Sequence, residues 1–172
     1  MAILDLIKNR VSSKSFIDKE IDEIILNNIL EAGRLAPSAK NRQPWRFISI
    51  SDPGVKKILL DACFGAETIK TADKIIAVCT TNINYNMPNG QPAHVFDLSV
   101  ATAFMMMQAE HEGVGSCIVT TYNEELIREL LTVPFSMRVF SLLALGYTAV
   151  DKSNEIFKER KSLKDVHNKE HW

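Results

Sequence analysis

The chain has 172 residues, a formal net charge of −1, 46% hydrophobic residues and 24% charged ones. These figures fit one domain of ordinary globular composition, large enough to bury a core without staples. The near-neutral balance argues against nucleic acid or an acidic membrane as the main partner, and no apolar run reaches the roughly 20 residues that span a bilayer.

In chain order, MAILDLIKNR is too short in its apolar part for a signal peptide and has an acid inside it. Ile3, Leu4 and Ile7 share one helical face, which predicts a short first helix. The polar VSSKSF follows as a connector. A second helix starts at Asp22, a plausible N-cap, with Ile25, Leu26, Ile29, Leu30 and Leu35 in its stripe. Pro37 stops it near Ala36. RFISIS (46–51) alternates and predicts a strand. DPGVKKILLDAC predicts a helix with proline in its first turn. KIIAVCTT (74–81) is an apolar run of strand length, and NINYNMPNGQP is a turn-rich loop. HVFDLSVATAFMMMQAEHEG predicts a long helix ending at Gly113, apolar nearly all round and so central to a core or an interface. GSCIVT (115–120) predicts a strand, NEELIRELL a helix capped by Asn123, and RVFSLLALGY (138–147) another strand. The charged tail DKSNEIFKERKSLKDVHNKEHW cannot form a core alone. Helices alternating with a few strands predict an α+β or α/β layer fold in a single domain, 1–172.

Four segments carry candidate chemistry. In NRVSSKSF, Arg10, Ser12 and Lys14 follow at a spacing of two, so an extended backbone aligns a guanidinium, a hydroxyl and an ammonium in one row. Such a row suits an anion, although cations after a helix also suit its negative end. In APSAKNRQPW (36–45), Ser38, Asn41 and Gln43 can donate and accept hydrogen bonds to a heterocyclic edge, or they can satisfy a turn while Trp45 and Phe47 enter the core. CIVTTYN (117–123) ends a strand before a helix, a place where open sheets bind ligands or simply a link with an N-cap. KERKSLK (158–164) is a basic run, by itself a solvated face. The widely spaced Cys63, Cys79 and Cys117 form no CxxC and read as reduced thiols in a cytoplasmic protein. His167 and His171 stand at helical spacing without a third ligand, so no metal is expected. No G-x-S-x-G, P-loop or G-x-G-x-x-G motif occurs, which argues against a serine hydrolase, an ATPase and a Rossmann dehydrogenase.

Taken in order, these segments resemble the FMN-dependent nitroreductase family. Its R-x-S-x-R/K-x-F segment is matched by Arg10, Ser12, Lys14 and Phe16. Its A-P-S-S/A-x-N-x-Q-P-W is matched by Ala36, Pro37, Ser38, Ala39, Asn41, Gln43, Pro44 and Trp45. Gly113, Gly115, Ser116 and Cys117 match G-x-G-S-C, Leu142 to Tyr147 match L-L-A-L-G-Y, and Arg160, Lys161 and Leu163 match the basic tail. The resemblance implies a three-layer α+β fold with a small mixed, mainly antiparallel sheet flanked by helices. It also implies an interlocked homodimer with two FMN molecules at the interface, and a tail, 150–172, that crosses the partner. Arg10, Val11 and Ser12 would meet the ribityl phosphate and chain, with Val11 where the family often has a second arginine. Lys14 would be the cation beside N1/O2 of the isoalloxazine, where reduction leaves negative charge. Arg160 and Lys161 would complete the phosphate clamp. Pro37, Ser38, Ala39 and Asn41 would border the ring from the other subunit, with Trp45 anchoring their loop in the core. Val119, Thr120 and Thr121 would line the face near N5, where relatives often carry Gly-Gly or Glu-Gly.

The implied activity is hydride transfer from NADH or NADPH through FMN to an acceptor such as a nitroaromatic or a quinone, with no side chain as acid, base or nucleophile. Two alternatives stay open at this point: a non-catalytic FMN-binding protein, and an enzyme that uses reduced flavin for another reaction.

Overall fold

Alternation, capping and glycine placement decide where the elements fall. The structure is a computed structural model that describes residues 3–81, 83–149 and 159–172. The helices are α1 (Ile3–Asn9), α2 (Glu23–Arg34), α3 (Pro53–Ala62), α4 (Glu67–Thr71), α5 (Ala93–His111) and α6 (Glu124–Leu130). The strands are β1 (Trp45–Ile50), β2 (Lys74–Thr80), β3 (Gly115–Val119) and β4 (Arg138–Gly146). Short 3-10 turns occupy Ala39–Asn41 and Leu163–Asp165.

The caps are those the side chains dictate. The carboxylate of Asp22 accepts the N–H of Ile24, Asp52 accepts that of Val55 with Pro53 in the first turn of α3, and Asn123 accepts that of Leu126. Each satisfies a donor that the helix itself leaves unpaired. After α5, Gly113 takes a positive φ of 72°, and Val114 N–H reaches back to the Ala109 carbonyl at 2.8 Å. That left-handed closure is what turns the chain into β3.

All four strands pair antiparallel in the order β1-β2-β4-β3. A register shift between Val78 and Cys79 pairs Val78 with Ser141 but Cys79 with Val139, which bulges β4 at Phe140. One face of the sheet packs under Leu59, Ala62, Ile69 and Ile127 of α3, α4 and α6. The other packs under Leu26 and Ile29 of α2 and Leu98, Met105 and Ala109 of α5. The expected three-layer α+β fold is therefore the observed one. β2 is buried along its whole length, as a strand covered on both faces must be.

Two glycines permit close approach at the end of β4. A Cβ on Gly146 would stand 2.6 Å from the Phe16 ring, and one on Gly115 would stand 2.7 Å from Ser13 Oγ. These contacts let residues 10–16 lie flat against β3 and β4.

The stripe of α1 does not enter this core. None of its residues is buried, and Ile3, Leu4 and Ile7 are each more than half exposed. α5 buries one side and leaves Val95, Phe96 and Phe104 exposed. Residues 159–172 are exposed throughout. Among the described residues no helix is long and apolar enough to cross a membrane.

An ion pair ties α6 to the start of β4. Arg138 donates to both carboxylate oxygens of Glu124 (2.7 and 2.6 Å), and Val139 N–H adds a third bond at 3.1 Å. The Arg138 hydrogen bond holds the Glu124 carboxyl below its ordinary value. A carboxyl with a depressed pKa stabilises the fold above the ordinary range of about 4.3 and loses that contribution as pH falls through the depressed value. Glu124→Gln is therefore expected to lower stability by about 1 kcal/mol at pH 7, a small cost because Arg138 is half exposed. Urea titrations of both proteins should converge as pH drops into the acid range.

Candidate functional site

Residues 10–16 form a short strip along the outer edge of β3. Ser12 makes a parallel bridge to Ser116, and Ser13 N–H donates to the Ser116 carbonyl at 3.1 Å. Farther along, Thr68 Oγ1 donates to the Lys14 carbonyl (3.0 Å), and Phe16 N–H donates to Thr71 Oγ1 (3.1 Å). The connector read from VSSKSF is thus an extended segment, with α4 supplying two of its hydrogen-bond partners. Side chains alternate around Ser13, and the bend at Lys14 ends the alternation before Phe16. Ser13 and Phe16 are buried, while Ser12 and Lys14 are exposed and Arg10 is partly so. Arg10 Nη1 donates to Ser12 Oγ at 3.4 Å, which puts the guanidinium and the hydroxyl on one side, as the spacing predicts. Val11 is half-buried between them in sequence. Beyond Ser13 the segment bends at Lys14 and turns towards the end of β4, where Phe16 packs on Gly146 and Ile17 N–H donates to the Tyr147 carbonyl at 2.8 Å. Val119 is half-buried, and Thr120 and Thr121 continue from it as exposed residues.

The second candidate segment enters β1. Trp45 is buried against Ala36 and Ala101, which makes it the expected core anchor. Between Ala36 and Trp45, three residues other than glycine take left-handed φ values: Lys40 and Asn41 at 53° and Gln43 at 49°. Each such residue costs roughly 1–2 kcal/mol and persists only where its surroundings enforce it. The enforcing contacts are visible. Ser38 Oγ accepts Gln43 N–H (2.9 Å), and Gln43 Nε2 donates to Asn41 Oδ1 (3.1 Å). Thr81 N–H and Oγ1 both donate to the Pro44 carbonyl (2.7 and 3.1 Å). Pro37 and Asn41 remain exposed, while Ser38 and Ala39 are half-buried.

Beneath the loop lies a residue the sequence reading passed over. Asp97 of α5 is 1% exposed, and its Oδ1 accepts Ala39 N–H at 2.7 Å. Its other oxygen has no partner, nor has the buried Nδ1 of His94 one turn earlier. Burial, with Arg138 nearby, lowers the His94 pKa and favours neutral imidazole. The available signal was a lone acid in the mostly apolar first half of α5.

The chain does not bring these two segments together. Residues 10–14 lie along β3 at one edge of the sheet, and the 36–44 loop feeds β1 at the other. Three strand spacings of about 4.8 Å put those edges roughly 14 Å apart. Arg160 and Lys161 are exposed and join neither segment by a hydrogen bond or ion pair. The segment that precedes them, 150–158, lies outside the described residues. An open groove of about 750 Å³ runs between α2 and β1; of the residues singled out for a ligand it includes Gln43 alone.

Thiol chemistry is not on offer. All three cysteines are buried and none forms a disulfide, and burial pushes the Cys63 and Cys79 thiols up to about 11. The site instead offers cations, hydroxyls and amide groups: donors for an anion on the β3 side, and donors with acceptors for a ring edge on the β1 side.

Comparison with known proteins identifies the family. The model of the nitroreductase family matches residues 7–74 and 61–147. A protein of Archaeoglobus fulgidus, provisionally named NADH dehydrogenase/NAD(P)H nitroreductase, is 33% identical over 153 residues, covering 87% of each chain. The crystal structure of a nitroreductase family protein from Clostridium difficile 630 superposes with a TM-score of 0.87, at 27% identity and full coverage of both chains. An FMN-dependent nitroreductase from Clostridium difficile R20291 superposes with a TM-score of 0.75, at 25% identity, over 94% of this chain and 93% of its own. The chain belongs to the nitroreductase family.

Proposed function

We propose that this chain is an NAD(P)H-dependent oxidoreductase that holds FMN and passes reducing equivalents from the nicotinamide to an acceptor such as a nitroaromatic or a quinone. The observation that carries the reading is the strip on β3. Arg10 donates to Ser12 Oγ, Lys14 is exposed two residues on, and the intervening Ser13 is buried. That donor set fits a phosphate followed by a polar chain and an electron-rich ring edge. FMN, when bound, supplies the two-electron redox chemistry that no side chain here can supply.

In this reading Arg10 and Ser12 hold the phosphate end, with the Val11 side chain turned away from it. Lys14 places a fixed positive charge where reduction adds negative charge, so its attraction grows as electrons arrive. Val119, Thr120 and Thr121 border the face on which donor and acceptor take turns, and the two threonines restrict how closely a bulky acceptor approaches. Pro37, Ser38, Ala39 and Asn41 border the ring from a second copy of the chain. Arg160 and Lys161 add charge to the phosphate end by way of a tail that crosses to that copy. The separation of the two segments supports this arrangement, as do the exposed apolar faces of α1 and α5. Burying those faces in a homodimer would stabilise the assembly by about 25 cal/mol per Å².

The test is an absorption spectrum of the purified chain after FMN is added in excess and unbound flavin removed. A retained flavin spectrum that bleaches without oxygen on adding NADPH or NADH is the expected result. Lys14→Ala should weaken FMN and slow that bleaching by about tenfold each, the equivalent of 1.4 kcal/mol. A colourless protein would overturn the assignment of Arg10, Lys14 and Asn41. Changes within twofold would overturn the role of Lys14 alone.

A further inference from the structure

The loop that enters β1 carries charge the family reading leaves unused. Between Ala32 and Ser51 there is no Asp or Glu, whereas Arg34, Lys40, Arg42 and Arg46 are all basic. Arg34 is neutralised by Glu31 through two bonds of 2.6 Å, and Arg46 donates to the Trp45 carbonyl. Lys40 and Arg42 are exposed, and among the described residues neither meets a carboxylate. The one carboxylate bonded to this loop, Asp97, is buried below it on the Ala39 N–H.

These two cations are held in place. The Arg42 guanidinium lies 3.8 Å from the centre of the Tyr85 ring, and Lys40 Nζ lies 5.8 Å from the same centre. Cation–π contact of this kind fixes a long side chain without consuming its charge. Tyr85 comes from the loop between Thr81 and Pro92, which has neither acid nor base in its sequence. That loop is itself braced. Its Tyr85 carbonyl accepts Ala93 N–H at 3.0 Å, and Met87 N–H donates to the Gln91 carbonyl at 2.8 Å. Two like charges beside one ring repel each other unless an anion separates them. Asn41, proposed to border the ring of FMN, stands between them in the chain.

We infer that Lys40 and Arg42, posed on Tyr85, form a subsite for an anionic group on the molecule that meets the flavin. This rests on the proposed oxidoreductase reading and adds to it a substrate class: one that carries a phosphate or a carboxylate beyond the reacting ring. Two sources offer such a group. One is the 2′-phosphate that distinguishes NADPH from NADH, and the other is a carboxylate on the acceptor.

The experiment uses the FMN-loaded chain and the variant Lys40→Gln/Arg42→Gln. Both are titrated calorimetrically with 2′,5′-ADP against 5′-AMP, and with 4-nitrobenzoate against 4-nitrobenzyl alcohol, and turnover is followed with the same donor and acceptor pairs. The expected result is a preference of about tenfold for the anionic member of one pair, weakened in 0.5 M salt and collapsing towards one in the variant. Loss in the nucleotide pair assigns the subsite to the 2′-phosphate, and loss in the nitroaromatic pair assigns it to the acceptor. A parent chain that binds FMN and turns over with no charge preference in either pair overturns this inference and leaves the oxidoreductase reading standing. So does a preference that survives in the variant. A parent chain that retains no FMN overturns both.

Discussion

Two inactive variants should restore each other when paired. Arg10→Ala/Lys14→Ala removes the cations along β3, and Ser38→Ala/Asn41→Ala removes polar groups of the loop that enters β1. Each variant by itself is expected to hold less than about a tenth of the parent FMN, since several charge-assisted bonds are lost in one case and several neutral ones in the other. In a heterodimer isolated through two different affinity tags, the proposed arrangement puts both lesions in one site and leaves the other site intact. Flavin content and turnover should then return to about half of the parent, as two-fold symmetry requires. If one chain supplied both segments to the same site, every site in the heterodimer would carry a lesion. Both readouts would then stay at the level of the separate variants. The geometry favours restoration because strand order sets the two segments at opposite edges of one sheet.

Gly146→Ala tests how the strip on β3 is seated. The new methyl group would meet Phe16 at 2.6, 2.7 and 2.8 Å from three of its atoms. Phe16 is buried beside α4, and its N–H is bonded to Thr71, so neither the ring nor its backbone has room to retreat. Overpacking of this kind costs roughly 1–3 kcal/mol, and a chain of this size loses about 2–4 °C for each kcal/mol. A melting temperature lower by about 5–10 °C is therefore expected. Phe16 sits two residues from Lys14, so FMN affinity should fall as well. A variant that melts within 1 °C of the parent would show that Phe16 moves freely, and the strip could not then be the rigid edge described above.

Much of the fold was legible because its signals are local and periodic. Every strand was placed to within a residue, since β1 alternates and β2 is a continuous apolar run between turn signals. Capping side chains and Pro53 located the helix starts. α4 was missed because ETIKT has too few residues to show a period. The strip at 10–16 read as a connector because its buried residues are Ser13, a small polar group, and Phe16 three positions on, which together leave no apolar alternation. The spacing of two still placed Arg10 and Ser12 on one side, and their hydrogen bond shows the same. The stripe of α1 was visible, but a pattern cannot tell burial in its own core from burial against another surface. Asp97 was hidden because its role depends on a loop distant in sequence. Tyr85 stayed within a turn-rich stretch for the same reason: nothing local says that Arg42 will lie over it.

The way the strip on β3 is fastened bears on how such a protein can change over generations. Its anchors are the Ser13 N–H, the Lys14 carbonyl, the Phe16 N–H and the buried Phe16 ring. The side chains of Arg10, Ser12 and Lys14 take no part in that fastening. Mutations at those three positions can therefore accumulate with little cost to folding, and a lineage could exchange one cofactor or substrate for another on an unchanged frame. Gly146 and Phe16 have no such latitude, because each occupies the space the other requires. Innovation is thus confined to one side of the strip, while its opposite side preserves the architecture.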